Sequence, residues 1–227
     1  MQHPVQEKTQ DSVRVDSARP QAAERARAAP AVRPWADRWA FLSGFLQHPG
    51  EVGSVIPSSG RLERRLVRTA RLAQARTVVE LGPGTGGTTR AFLRAMAPQA
   101  RLLAIELSPV FAERLARLQP DPRLSVQHGS AERVAEYLHA HGLPAPDVVI
   151  SGIPFSTMPP EVAERIAAAV AQVLAPGGSF VAYQLRAHVA RFSSPHLGTP
   201  ERSMEWVNIP PMQVFRWVRP PAPARAR

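Results

Sequence analysis

From Arg76 to Arg219 short β-branched or apolar runs alternate with segments whose apolar residues recur at helical spacing. The period-2 and continuous runs predict strands at Thr77–Leu81, Arg101–Glu106, Leu124–His128, Asp147–Ile153 and Ser179–Leu185. Helices are predicted near Thr88–Met96, Pro109–Leu118, Ala131–His141 and Pro160–Leu174. The last is stopped by Ala175-Pro176-Gly177-Gly178, residues that cannot continue a helix and that turn readily. Two further strand-like runs, Met204–Ile209 and Gln213–Arg219, flank Pro210-Pro211 and predict a terminal hairpin. Strands that alternate with helices specify an α/β fold, a mostly parallel sheet covered on both faces. Its ligand belongs at the carboxyl ends of the strands.

The flanks read differently. Residues 1–33 are polar, mixed in charge and poor in periodic apolar positions, and are predicted to be disordered, as is the tail 220–227. Residues 34–75 are helical in pattern, interrupted at Pro49-Gly50 and Pro57-Ser58-Ser59-Gly60. Within them Trp35, Trp39, Leu42 and Leu46 fall on one helical face, with Phe41 and Phe45 beside it and Arg33 and Arg38 alongside. Such a face suits a membrane interface, with aromatics at headgroup depth and arginines on phosphates. It suits packing on the α/β domain equally, as amphipathic helices usually do.

At 227 residues the chain fits one domain with extensions. It has no cysteine, which excludes disulfides and thiolate metal sites. No apolar run approaches the length of a membrane span, and the first residues lack the basic start and apolar core of a signal peptide. The seven histidines show no ligand spacing, and no metal site is expected. Formal charge is +10, with Lys8 the sole lysine. An arginine-rich field favours anionic partners, nucleic acid or an anionic membrane, without choosing between them.

The densest chemistry lies in Thr77-Val78-Val79-Glu80-Leu81-Gly82-Pro83-Gly84-Thr85-Gly86. A strand ends in a carboxylate, and glycines then let the backbone turn and approach a ligand. The spacing also satisfies a dinucleotide fingerprint, but Glu80 would set negative charge against a pyrophosphate. A cationic ligand fits better, and S-adenosylmethionine carries an ammonium and a sulfonium and no phosphate. The run resembles the first motif of the class I methyltransferases, and Glu106 at the end of the next strand matches the second acid, which in that family holds the ribose hydroxyls. The resemblance implies a Rossmann-like sheet with an antiparallel terminal strand, and S-adenosylmethionine as methyl donor with no metal.

Two further stretches bear on the acceptor. After the third strand, Gly129-Ser130-Ala131-Glu132 has Ser130 where the family often has an acid for the adenine amino group. Ser130 is equally suited to cap the next helix. After the fourth strand, Ser151-Gly152-Ile153-Pro154-Phe155 occupies the loop where the acceptor nitrogen meets the donor. Enzymes that methylate adenine N6 carry Asn or Asp there, followed by x-Pro-aromatic. Gly152 offers no side-chain carbonyl, which disfavours a base-modifying enzyme.

Three motifs resemble the bacterial phospholipid N-methyltransferases across Trp35 to Arg219: Phe41–Pro49 leading into Gly53-Ser54-Val55-Ile56-Pro57-Ser58-Ser59, then Ser151-Gly152-Ile153-Pro154, then Asn208-Ile209-Pro210-Pro211-Met212-Gln213-Val214-Phe215. One departure is Tyr183-Gln184-Leu185-Arg186, where that family usually reads aromatic-Ser/Thr-Tyr-Gly. The resemblance implies methyl transfer to the amine of phosphatidylethanolamine towards phosphatidylcholine. It implies a cytoplasmic enzyme held peripherally on the inner face of an anionic membrane, with Trp35, Arg38, Trp39, Leu42, Phe45 and Leu46 in contact. The cofactor falls to Glu80, Gly82, Gly84, Gly86, Glu106, Leu107, Ser130, Ala131 and Ser151. The acceptor falls to Ser151, Gly152, Pro154, Phe155 and Tyr183, with Tyr183, Phe155 and Trp206 as candidates for cation–π contact with a methylated ammonium. Two alternatives stay open: an RNA adenine N6-methyltransferase and a membrane-docking protein that binds the cofactor without turnover.

Overall fold

The computed structural model describes residues 59–118 and 120–221. The segment 1–58, with Trp35, Arg38, Trp39, Leu42, Phe45 and Leu46, and the tail from residue 222 lie outside the described residues. Seven strands form one sheet: β1 (Thr77–Leu81), β2 (Arg101–Glu106), β3 (Leu124–His128), β4 (Val148–Ser151), β5 (Ser179–Gln184), β6 (Glu201–Glu205) and β7 (Met212–Val218). Their order is β3-β2-β1-β4-β5-β7-β6; the first five run parallel, and β7 is antiparallel to both β5 and β6. The strand order reverses between the parallel strands β1 and β4, which opens a crevice at their carboxyl ends, where Gly82 and Gly152 follow.

Six helices are described: α1 (Gly60–Thr69), α2 (Gly87–Ala95), α3 (Pro109–Leu118), α4 (Val134–Ala140), α5 (Pro160–Val173) and α6 (His188–Leu197). β1 is buried on both faces, as its unbroken apolar run requires. On one face Val79, Leu103, Val149 and Phe180 pack against α4, α5 and α6. On the other, Val78, Leu102, Ile150 and Val181 meet Leu62 and Leu66 of α1 and Phe92 and Leu93 of α2. Leu62 and Leu66 are one helical turn apart, so α1 buries one stripe and leaves Arg61, Arg64 and Arg68 exposed. Ser59 starts this helix, its hydroxyl accepting from the Leu62 N–H at 3.2 Å. At the sheet's other end Trp217 stacks between Phe180 (5.3 Å) and Phe215 (5.8 Å) and donates its indole N–H to the Gly198 carbonyl at 3.0 Å.

The structure redraws several elements expected from sequence. β4 begins after Asp147, whose carboxylate is taken by the N–H groups of Arg76 and Thr77, and ends at Ser151, where the chain turns out of the sheet. β6 is Glu201–Glu205 instead of Met204–Ile209; the apolar run Trp206–Ile209 lies in the turn before β7. The helix expected at Ala131–His141 is a 3₁₀ turn, Ala131–Arg133, followed by α4. Helix α6, with Pro195 inside it, had no sequence counterpart.

Candidate active site

The glycine loop leaves β1, closes on itself through Gly86 N–H to Pro83 O at 3.0 Å, and enters α2. Gly84 sits at φ 54°, in the left-handed region, and a Cβ built there would meet nothing within 4 Å. Its Cα therefore faces open space, as a surface for close approach to a ligand must. Gly82 is different, since a Cβ there would press on the Ile153 side chain at 3.0 Å.

Two buried carboxylates support this loop. Glu106 accepts from the Gly84 N–H and the Ser108 N–H, both at 2.9 Å, so it ties the end of β2 to the loop. Burial raises its pKa while the Ser108, Gly84 and Leu107 N–H groups oppose the rise. Glu80 lies beneath, 1% exposed, and accepts from Thr88 Oγ1 at 2.6 Å and Thr89 Oγ1 at 2.7 Å. Burial pushes its carboxyl up to about 7, the Glu106 charge adding to the rise and the two hydroxyls opposing it. Each of its oxygens already accepts one hydrogen bond and the group is buried beneath the loop, so Glu80 acts on a ligand mainly through its charge. Neither acid is paired with an arginine among the described residues. Two carboxylates held only by neutral donors oppose a pyrophosphate and fit the ammonium and sulfonium of S-adenosylmethionine.

Along the edge of β2 and β3, Leu107 is half-buried with its carbonyl against His128 Nε2 at 3.1 Å, and Ala131 is buried. The Ser130 hydroxyl accepts from the Glu132 N–H at 3.4 Å, capping the 3₁₀ turn.

The Ser151–Phe155 loop, where the acceptor is expected, is built more tightly. Ser151 is fully buried, its hydroxyl accepting from the Ile153 N–H at 3.2 Å. Gly152 donates to Leu81 O at 3.0 Å, and a Cβ on it would overlap the Tyr183 hydroxyl and lie 2.9 Å from the Tyr183 Cζ. Burial, then the Glu80 charge, pushes the Tyr183 phenol well up, with Thr88 opposing the rise, so it stays protonated. Pro154 is half-buried, its carbonyl accepting from Thr157.

Sequence reasoning passed over Gln184. Its side-chain oxygen accepts from the Phe155 N–H at 3.3 Å and its amide nitrogen donates to the Ile153 carbonyl, clamping the loop from β5. The signal was the family departure at this position. Two aromatic expectations change. Phe155 is 1% exposed and packs on Phe192 at 6.4 Å, and Trp206 is 72% exposed on the β6–β7 turn. They do not enclose an ammonium with Tyr183; Phe155 shapes the loop from the core side.

Comparison with known proteins agrees with this geometry. The Methyltransferase domain family matches residues 78–178, from β1 through α5. An ornithine lipid N-methyltransferase from Singulisphaera acidiphila is 35% identical over 145 residues, 63% of this chain and 76% of that protein. A ribosomal RNA small subunit methyltransferase A from Caulobacter vibrioides is 38% identical over 95 residues, 41% of this chain but 34% of that protein. Among solved structures, the O-methyltransferase TomG from Streptomyces achromogenes superposes with a TM-score of 0.58 at 22% identity, covering 79% of this chain and 89% of that one. The chain belongs to the class I S-adenosylmethionine-dependent methyltransferases, in the family of the lipid N-methyltransferase it matches.

Proposed function

We propose that this protein methylates the primary amine of phosphatidylethanolamine, towards phosphatidylcholine, at an anionic membrane surface. The observation that carries the reading is the contact between Gly152 and Tyr183. Where adenine-modifying relatives place an Asn or Asp, the Tyr183 ring fills the space a side chain would need. The loop therefore presents no side-chain carbonyl to a base, and a small, flexible ammonium headgroup needs none. The lipid N-methyltransferase of 76% coverage supports the same choice, against the shorter match to the RNA enzyme.

When bound, S-adenosylmethionine supplies an electrophilic methyl group for in-line displacement. Gly84 leaves the loop bare for its approach, Glu106 fixes that loop and takes part at the ribose, and Glu80 offsets its positive charge from below. Leu107, Ser130 and Ala131 line the edge available to the adenine. The protonated Tyr183 has an oxygen lone pair to accept from an N–H of the headgroup amine, which attacks the methyl group in its neutral form after its ammonium proton has passed to solvent. Gln184 and Ser151 hold Gly152–Phe155 in one position, so the contribution of the acceptor loop is orientation.

The amine of an ornithine lipid is a second candidate acceptor, favoured by the 35% identity to an enzyme of that name. Labelled S-adenosylmethionine incubated with phosphatidylethanolamine vesicles, ornithine lipid vesicles and total RNA separates the readings. Label in phosphatidylethanolamine is expected. Label only in ornithine lipid moves the headgroup, label only in RNA overturns the lipid reading, and no label with intact cofactor binding points to a docking protein without turnover. Among the described residues no helix is long and apolar enough to cross a membrane, which is compatible with peripheral attachment on the inner face.

A further inference from the structure

Of the five large hydrophobic side chains exposed among the described residues, three lie in one four-residue turn: Trp206 (72%), Val207 (54%) and Ile209 (84%). This turn joins β6 to β7, and its position is set by register. Glu205 pairs with Met212, and Gln213 pairs with Gln184 at the carboxyl end of β5. The turn therefore projects from the same edge of the sheet as the glycine loop and the Ser151–Phe155 loop.

Its outward side chains are held outward. Asn208, between them, is 3% exposed; its oxygen accepts from the Ser59 N–H at 3.3 Å and its amide donates to Pro210 O at 3.0 Å. Glu205, just before Trp206, is buried and accepts from Arg65 at 2.8 Å and from the Val207 N–H at 3.3 Å. The one acid next to the turn is thus neutralised by α1. That helix starts beside the turn through the Ser59–Asn208 bond and carries Arg61, Arg64, Arg65 and Arg68 against a single Glu63.

We propose that the Trp206–Ile209 turn is a membrane anchor. Trp206, Val207 and Ile209 enter the boundary between headgroups and acyl chains of an anionic bilayer, and the exposed arginines of α1 contact lipid phosphates. An indole beside aliphatic side chains, with cations on the adjoining helix, matches the chemistry of that boundary. Three side chains cover far less than the roughly 800 Å² per partner of a stable protein interface, so a bilayer fits better than a folded partner. The placement has a consequence for catalysis: seating the turn on the membrane brings the edge that bears the methyl-transfer loops down onto the headgroups. The proposal rests on the lipid-substrate reading and extends it from which group is methylated to how the group is reached.

The test uses the full chain carrying Trp206→Ser and Ile209→Ser. Three quantities are measured: sedimentation with vesicles of equal parts phosphatidylglycerol and phosphatidylcholine, thermal stability, and methyl transfer to a water-soluble short-chain phosphatidylethanolamine. Vesicle affinity should fall at least about tenfold, as expected when two interfacial anchors are lost. Melting temperature and transfer to the soluble substrate should match the parent. A second variant, Arg61→Glu with Arg64→Glu, should also lose vesicle binding, and added salt should weaken the parent. Undiminished sedimentation of the Trp206/Ile209 variant overturns the anchor. So does a drop in its melting temperature, which would mean that these side chains are covered by another part of the chain, or a change in oligomeric state, which would mean a second copy. If vesicle binding is lost as expected but the parent methylates neither soluble nor vesicle phosphatidylethanolamine, the anchor stands and the substrate reading fails.

Discussion

The Tyr183 ring occupies the volume that a side chain on Gly152 would need, with its Cζ 2.9 Å from the position of a Cβ. This ties the identity of the acceptor loop to a residue on β5, the neighbouring strand. Gly152→Ala should therefore destabilise by about 1–3 kcal/mol, the usual cost of overpacking a site with no slack. Methyl transfer should fall with it. Tyr183→Phe removes the hydroxyl that makes the worst overlap, so the double variant should be more stable than the two single effects added. Chemical denaturation of the four proteins measures that coupling; strict additivity would mean that the two residues do not constrain each other.

The Glu80 carboxyl, raised to about 7 in the fold from an ordinary 4.5, binds its proton more tightly when native than when unfolded. Its contribution to stability is complete below about pH 4.5 and is lost as pH rises through about 7. Glu80→Gln cannot titrate, and its amide can still accept from one threonine hydroxyl and donate to the other. The stability of the parent relative to this variant should thus fall by roughly 3 kcal/mol between pH 4 and pH 8. Cofactor binding should run the other way. A cationic ligand favours ionised Glu80, so affinity should rise with pH through about 7 in the parent more than in the variant. Denaturation and calorimetric titration across this range check both slopes, and parallel profiles would remove Glu80 from the electrostatics of the site.

Gly84 faces open space at φ 54°. Gly84→Val places a β-branched side chain where the loop must meet the cofactor, and strains the backbone by about 1–2 kcal/mol. We expect a folded protein that has lost at least about 1.4 kcal/mol of cofactor binding, tenfold in affinity. Calorimetry that finds undiminished affinity would place the cofactor elsewhere on the sheet.

Much of the sheet was legible because burial on both faces demands unbroken apolar runs in β1 and β2, while the half-buried edge strand β3 shows as an alternating run, Leu124-Ser125-Val126-Gln127. β1, β2 and β3 fall at the residues those runs mark, and the glycines and acids locate the loop at the carboxyl edge. Less legible were features that depend on a partner distant in sequence. The Trp206–Ile209 run reads as strand by apolarity, but Asn208 is drawn inward by Ser59, 149 residues away, and the run becomes a turn. Helix α6 carries Pro195 and polar residues on its surface, which mask its apolar side. Glu80 reads as a ligand-facing acid from its place before the glycines; that Thr88 and Thr89 would take both its oxygens requires knowing how α2 folds back over β1.

Gln184 was the least legible site residue, and it offers the sharpest test of how the acceptor loop works. Its amide donates to the Ile153 carbonyl while its oxygen accepts from the Phe155 N–H. Gln184→Leu leaves both backbone groups without that partner, at about 1–3 kcal/mol for each group that stays buried. In the proposed reaction the loop it releases holds the acceptor. A displacement of an ångström there should lower kcat on the order of 10–100-fold. Cofactor affinity should barely move, since Gln184 touches neither the glycine loop nor Glu106. Gln184→Glu makes the argument specific. As a carboxylate it can accept from Phe155 but has nothing to donate to Ile153, whereas as a carboxylic acid it can do both. Its kcat relative to the parent should therefore recover as pH is lowered and its carboxyl takes up a proton. A Gln184→Glu enzyme with the same deficit at every pH would show that the amide supports the loop by shape alone.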